Sequence, residues 1–68
     1  MAQEFQVYLN GSRIKIVTGM VPRMGDALVF PDDRYRVLEV EQWFGETGFV
    51  SFRVHVARVP KLSVPTGR

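Results

Sequence analysis

The stretch that decides the fold reads YRVLEVEQWF from Tyr35 to Phe44, GETG from Gly45 to Gly48, and FVSFRVHVARV from Phe49 to Val59. Two alternating segments flank a loop, Glu46-Thr47-Gly48, whose glycine stands where the chain must take positive φ. That turn sets the register of an antiparallel hairpin. It predicts Phe44 opposite Val50, Gln42 opposite Phe52, Val40 opposite Val54 and Leu38 opposite Val56, on a face that is almost wholly apolar and reads as core. The other face then pairs Trp43 with Ser51, Glu41 with Arg53, Glu39 with His55, Val37 with Ala57 and Tyr35 with Val59. Two charge-complementary pairs among aromatic and aliphatic side chains have the composition of a recognition surface.

Upstream, Asn10-Gly11 lies between alternating segments, and both central positions of a type I′ turn require positive φ. A second hairpin follows. Leu9 is expected opposite Ser12, Val7 opposite Ile14 and Phe5 opposite Ile16, with Tyr8–Arg13 and Gln6–Lys15 on the reverse side. Residues 20–26 read as a loop, with Pro22 suited to the second position of a turn, and Ala27 to Phe30 as a short strand. Pro31-Asp32-Asp33-Arg34 is a further turn, which makes the strands on either side of it antiparallel neighbours. Gly, Pro and β-branched residues interrupt every window of helical period. The expectation is an all-β domain of five antiparallel strands in meander order over residues 1–60, curled into a small barrel that hides its edges. The segment 61–68 holds Pro65 and follows Pro60, so it is expected as an extended C-terminal tail, with at most one 3₁₀ turn at its start.

Around Pro22-Arg23-Met24-Gly25-Asp26 the chain resembles SH3-like barrel proteins, including small ones encoded by phages and plasmids. In that group a Pro-x-x-Gly-Asp-like loop introduces a barrel strand, and the resemblance covers the strand pattern from Val21 to Val59. It implies an SH3-like barrel. Plasmid-borne dihydrofolate reductases of this group carry a similar Met-Gly-Asp step, but their Val-Gln-Ile-Tyr active-site run is absent here, which removes the reductase reading.

With 68 residues, the chain makes one domain that buries only about 60% of its unfolded surface. There is no cysteine, so neither a disulfide nor a thiolate metal site reinforces it, and packing or self-association must. Neither a bilayer-spanning apolar run nor a basic-then-apolar leader is visible, so a cytoplasmic location and no membrane partner are expected. The net charge is +2, from nine Lys and Arg against seven Asp and Glu. These cations are dispersed, whereas a nucleic-acid footprint concentrates them on one face.

The chemistry-bearing residues are few. His55 is the single histidine, and Glu39 opposite it would orient it as a base, but Ser51 on the same face is too far along the strand for direct activation. Zinc requires four N, S or O ligands, and one histidine with scattered carboxylates does not supply them. Asp32-Asp33 beside Pro31 is turn chemistry. The expectation is therefore no enzyme, no cofactor and no metal. Tryptophan, tyrosine and arginine dominate binding hot spots. The candidate protein-binding set is Tyr35, Glu39, Glu41, Trp43, Arg53 and His55. An alternative, single-stranded nucleic-acid binding through Tyr8, Arg13, Arg36, Trp43 and Arg53, combines stacking rings with cations. Glu39 and Glu41 on the same face would repel phosphate, which favours a protein partner or self-association.

Overall fold

A computed structural model describes residues 2–60. It is all-β: β1 (Gln3–Leu9), β2 (Ser12–Gly19), β3 (Ala27–Val29), β4 (Arg34–Gly45) and β5 (Gly48–Arg58) form one sheet in the order β2-β1-β5-β4-β3. Strand pairs β1–β2, β3–β4 and β4–β5 are antiparallel, but β1 and β5 run parallel. The expected antiparallel meander is thus corrected to a mixed sheet, since β1 lies beside β5 and leaves β2 and β3 as the two edges. The sheet curls into a half-barrel. Across its open seam Lys15 of β2 reaches Asp32 at 3.4 Å and stands 4.8 Å from the centre of the Phe30 ring, so a side chain spans a gap that no backbone ladder among the described residues closes. No described helix is long and apolar enough to cross a membrane. The expected C-terminal tail, residues 61–68, lies outside the described residues, as does the expected 3₁₀ turn apart from Pro60.

The turns behave as their residues require. Asn10 and Gly11 both have positive φ, 52° and 82°, as a type I′ turn demands. Gly48 also has positive φ, 130°, but it opens β5 and pairs with Gly45, so the expected three-residue loop Glu46-Thr47-Gly48 is corrected to the two residues Glu46-Thr47. In the Pro22 loop the turn proper is Arg23 to Asp26: the Asp26 amide donates to the Arg23 carbonyl at 3.0 Å, the Asp26 carboxylate accepts from the Arg23 amide at 2.8 Å, and Gly25 takes φ 93°. Pro22 precedes this turn and does not occupy its second position. The same loop is tied to β4 by reciprocal 2.8 Å bonds between Val37 and the Gly25–Asp26 pair.

The middle of the β4–β5 register has the expected pairs, Glu39↔His55, Val40↔Val54, Glu41↔Arg53, Gln42↔Phe52 and Trp43↔Ser51, but it reaches them because the unpaired Val50 offsets the one-residue shift that the shorter turn introduces. Bulges interrupt it on both sides. One shift, between Val37 and Glu39, leaves Leu38 unpaired and 54% exposed, and pairs Val37 with Val56 and Tyr35 with Arg58. Uninterrupted alternation would have turned Arg36 and Arg34 inward with Leu38; one extra residue sends both arginines outward and places Val37 and Tyr35 inside. The other shift, between Trp43 and Phe44, pairs Phe44 with Phe49 and leaves Val50 unpaired. In the first hairpin, Leu9↔Ser12 and Tyr8↔Arg13 hold, but a shift then pairs Val7 with Lys15, Gln6 with Ile16 and Phe5 with Val17. Ile14 and Ile16 consequently lie exposed, and Val17 packs on the core in their place.

The core consists of Phe5, Val7, Tyr35, Val37, Val54 and Val56, contributed by the three central strands. Val40, Phe52, Val17, Leu28 and Phe30 cover it partially, and the Phe30 ring meets Tyr35 edge-on at 5.9 Å. Six buried side chains are a small core for one domain, each worth about 1.5–3 kcal/mol on burial.

Candidate functional site

The face of the half-barrel opposite the core is built on β1, β5 and β4. Alternation along β5 that buries Val54 and Val56 turns Arg53 and His55 to this side. Cross-strand pairing sets Glu41 and Glu39 beside them on β4, and Gln6 and Tyr8 beside them on β1. Five members of the candidate set, Glu39, Glu41, Trp43, Arg53 and His55, therefore share one surface. Tyr35 does not: the Leu38 bulge moves it into the core, where it is 3% exposed.

Side-chain partners on this face run diagonally to the backbone register. His55 Nε2 lies 2.7 Å from Glu41 Oε1, not on Glu39 opposite it. The Trp43 indole N–H donates to the same Glu41 oxygen at 3.0 Å. Because an ionised carboxylate only accepts, His55 carries its proton on Nε2 in this contact. These two donors, the His55 hydrogen bond first and then Trp43, hold the Glu41 carboxyl below its ordinary value, helped by the nearby charges of His55 and Arg53.

With Glu41 engaged elsewhere, Arg53 is placed by rings. Its guanidinium carbon stands 3.7 Å from the centre of the Trp43 ring and 5.3 Å from that of Tyr8. Tyr8 in turn faces the His55 ring at 5.5 Å and donates its hydroxyl to Gln6 Oε1 at 3.1 Å. Arg53 Nε is buried without a hydrogen-bond partner among the described residues, which marks how closely the rings enclose the guanidinium stem. A cation over an indole is worth about 0.5–1 kcal/mol at an exposed site and more where water is excluded. The result is a prearranged Trp43–Arg53–Tyr8–His55 row on a face with acidic members. Tyr8 reaches its centre through the parallel β1–β5 pairing, a non-local contact that no turn in the sequence announces.

The alternative set separates in space. Tyr8, Trp43 and Arg53 belong to this row, and Arg13 is exposed beside Tyr8 on edge strand β2. Arg36 Nη1 instead donates to the Gly25 carbonyl at 2.8 Å, bracing the loop. Arg58 is likewise committed: its hydrogen bond to Tyr35, and then the charge of Asp33 at 2.6 Å, raise its pKa.

No group of three or more His, Cys, Asp or Glu among the described residues could hold a metal ion. An open surface groove of about 480 Å³ lies between residues 20–23 and 26–28, and His55 does not line it. Comparison with known protein families, curated proteins and solved structures finds no match to this chain.

Proposed function

We propose that the domain is a non-catalytic protein-binding or assembly module, and that the Trp43–Arg53–Tyr8 row with Glu41 and His55 is its contact surface. The observation that carries this reading is the stacking of Arg53 on Trp43 at 3.7 Å, on a face that contributes nothing to the core. Arginine and tryptophan are the side chains that anchor interfaces, and a pair already ordered in the free protein loses little rotamer freedom when a partner arrives. Trp43 remains 42% exposed in that arrangement. Glu39 at the border adds the mixed charge typical of a polar rim.

The same details weigh against single-stranded nucleic acid. Base stacking needs open ring faces, yet Arg53 lies over both Trp43 and Tyr8, and His55 also packs against Tyr8. The carboxylate at the centre of the face adds repulsion for phosphate.

The test is affinity capture from the native host with the wild-type domain and with Trp43→Ala. A partner retained by the first and lost by the second, with the β spectrum unchanged, is the expected result. A partner held equally by both would remove this face from the interaction. Oligonucleotide binding that falls steeply with added salt would replace the reading with the nucleic-acid one.

A further inference from the structure

The ladder between β1 and β5 begins at Phe5↔Phe52, whereas the β4–β5 hairpin continues to Gly45↔Gly48. Residues 43–51 therefore form a two-stranded arm with no third strand beside it among the described residues. On the core side of the arm the apolar surface does not stop where the core does. The Phe52 ring, packed against the core, is 4.9 Å from Phe49, which meets Phe44 edge-on at 6.0 Å. Phe44 is 62% exposed and Phe49 45%, and Val50 at the adjoining bulge is 63% exposed. A two-stranded ribbon alone is marginally stable in water, and this one presents a chain of phenylalanines to solvent.

We propose that a second copy of this chain covers the strip, the two arms packing core side to core side as a small four-stranded sandwich. This rests on the hairpin being the contact element, but uses its opposite face. Two observations favour a second copy over a different protein, and a third sets the strength. First, Val40, Gln42, Phe44, Phe49 and Phe52 carry no charge, and such a surface has nothing to discriminate against its own image. Homodimer interfaces look like a core cut in half, which is what this extension of the core already is. Second, Glu39, Glu41, Arg53 and His55 all lie on the other face of the same strands, so these charges are not brought together by the pairing. Third, the exposed parts of Phe44, Phe49 and Val50 from two copies amount to on the order of 500–600 Å² of apolar surface. That is below a standard interface, so the dimer is weak and reversible. The arrangement leaves the Trp43–Arg53 face of each copy outward, so dimerisation would present the proposed partner surface twice.

Sedimentation equilibrium of the full chain from micromolar concentrations to about 1 mM tests this, together with amide hydrogen exchange at both ends of that range. The expected result is a monomer–dimer equilibrium, with amides of residues 44–50 gaining protection as concentration rises. Phe44→Glu, and separately the milder Phe49→Gln, should each weaken dimerisation by at least tenfold while the β spectrum persists; neither residue belongs to the buried core. A wild-type protein that stays monomeric at 1 mM overturns the proposal. So does a dimer unaffected by Phe49→Gln, or one whose added protection falls on the edge strand β2. Trp43→Ala should leave the dimer intact, so loss of the partner in that variant and loss of the dimer in the phenylalanine variants report on separate faces.

Discussion

His55 and Glu41 are joined at 2.7 Å although the ladder sets His55 opposite Glu39. Diagonal neighbours on a twisted antiparallel pair remain within reach of long side chains, and here the diagonal contact frees Arg53 from the carboxylate directly across the strand. One displaced ion pair thus creates the Arg53–Trp43 stack. The face owes its character to that exchange.

Acid should disturb this exchange in a defined direction. Glu41 titrates below its ordinary value in the folded protein, because His55 and then Trp43 donate to its ionised form. A depressed carboxyl stabilises the fold fully above its unfolded pKa, and that contribution disappears as pH falls through the lower folded value. Glu41→Gln should therefore flatten the acid limb of a melting-temperature profile relative to wild type. Parallel acid limbs in the two proteins would show that the contact adds no stability in solution.

Arg53→Lys keeps the charge but replaces a flat guanidinium with a compact ammonium that cannot stack over an indole. Because Trp43 is the single tryptophan, its emission reports the change directly. The expected outcome is a shifted emission maximum and a loss of stability of about 0.5–1 kcal/mol in urea unfolding. An unaltered spectrum would mean that Arg53 and Trp43 are not stacked.

Much of this was legible in the chain. Asn10-Gly11 and Gly48 have positive φ as expected, and the five pairs from Glu39↔His55 to Trp43↔Ser51 are the expected ones, although a two-residue turn and a compensating bulge at Val50 produce them in place of a three-residue loop. What the alternation rule misses is where it breaks. Each break adjoins two consecutive apolar residues, Val37-Leu38 and Phe49-Val50, and in the first hairpin Ile16-Val17 shows the same doubling near the shift beside Ile14. A single unpaired residue inverts everything beyond it, which is how Tyr35 passed from the expected binding face to the core. The β1–β5 contact is of another kind: it joins strands more than forty residues apart by parallel pairing, and only the closing of the core around Phe5, Val7, Val54 and Val56 dictates it.

Gly48 should tolerate no side chain cheaply. Its φ of 130° lies in the region that L-residues avoid, although no atom stands within 4 Å of a Cβ built there. The cost of Gly48→Ala is therefore conformational and not steric, on the order of 1 kcal/mol or more. Because the arm beyond Ser51 has no third strand among the described residues, the effect should concentrate in amide exchange of residues 44–50, with the exchange of Val7 and Val54 changed only through global unfolding. Uniform acceleration across all strands, without loss of global stability, would contradict a local strain.

The Leu38 bulge makes the sharpest prediction, because it reverses what uninterrupted alternation implies for two adjacent residues. Val37 is 1% exposed and packs in the core, while Leu38 points to solvent. Val37→Ala should cost about 2–3 kcal/mol, from lost burial and the cavity left among Val56 and Tyr35. Leu38→Ala should stay within about 0.5 kcal/mol. Deleting Leu38 is a stronger test than either. Without the extra residue, Val37 and Tyr35 would turn outward and Arg36 and Arg34 would turn toward the core, so the deletion variant should fail to fold or melt far below wild type. If Leu38→Ala proves the costlier of the two alanine changes, or the deletion folds normally, β4 runs without a bulge. Tyr35 would then return to the outward face beside Trp43.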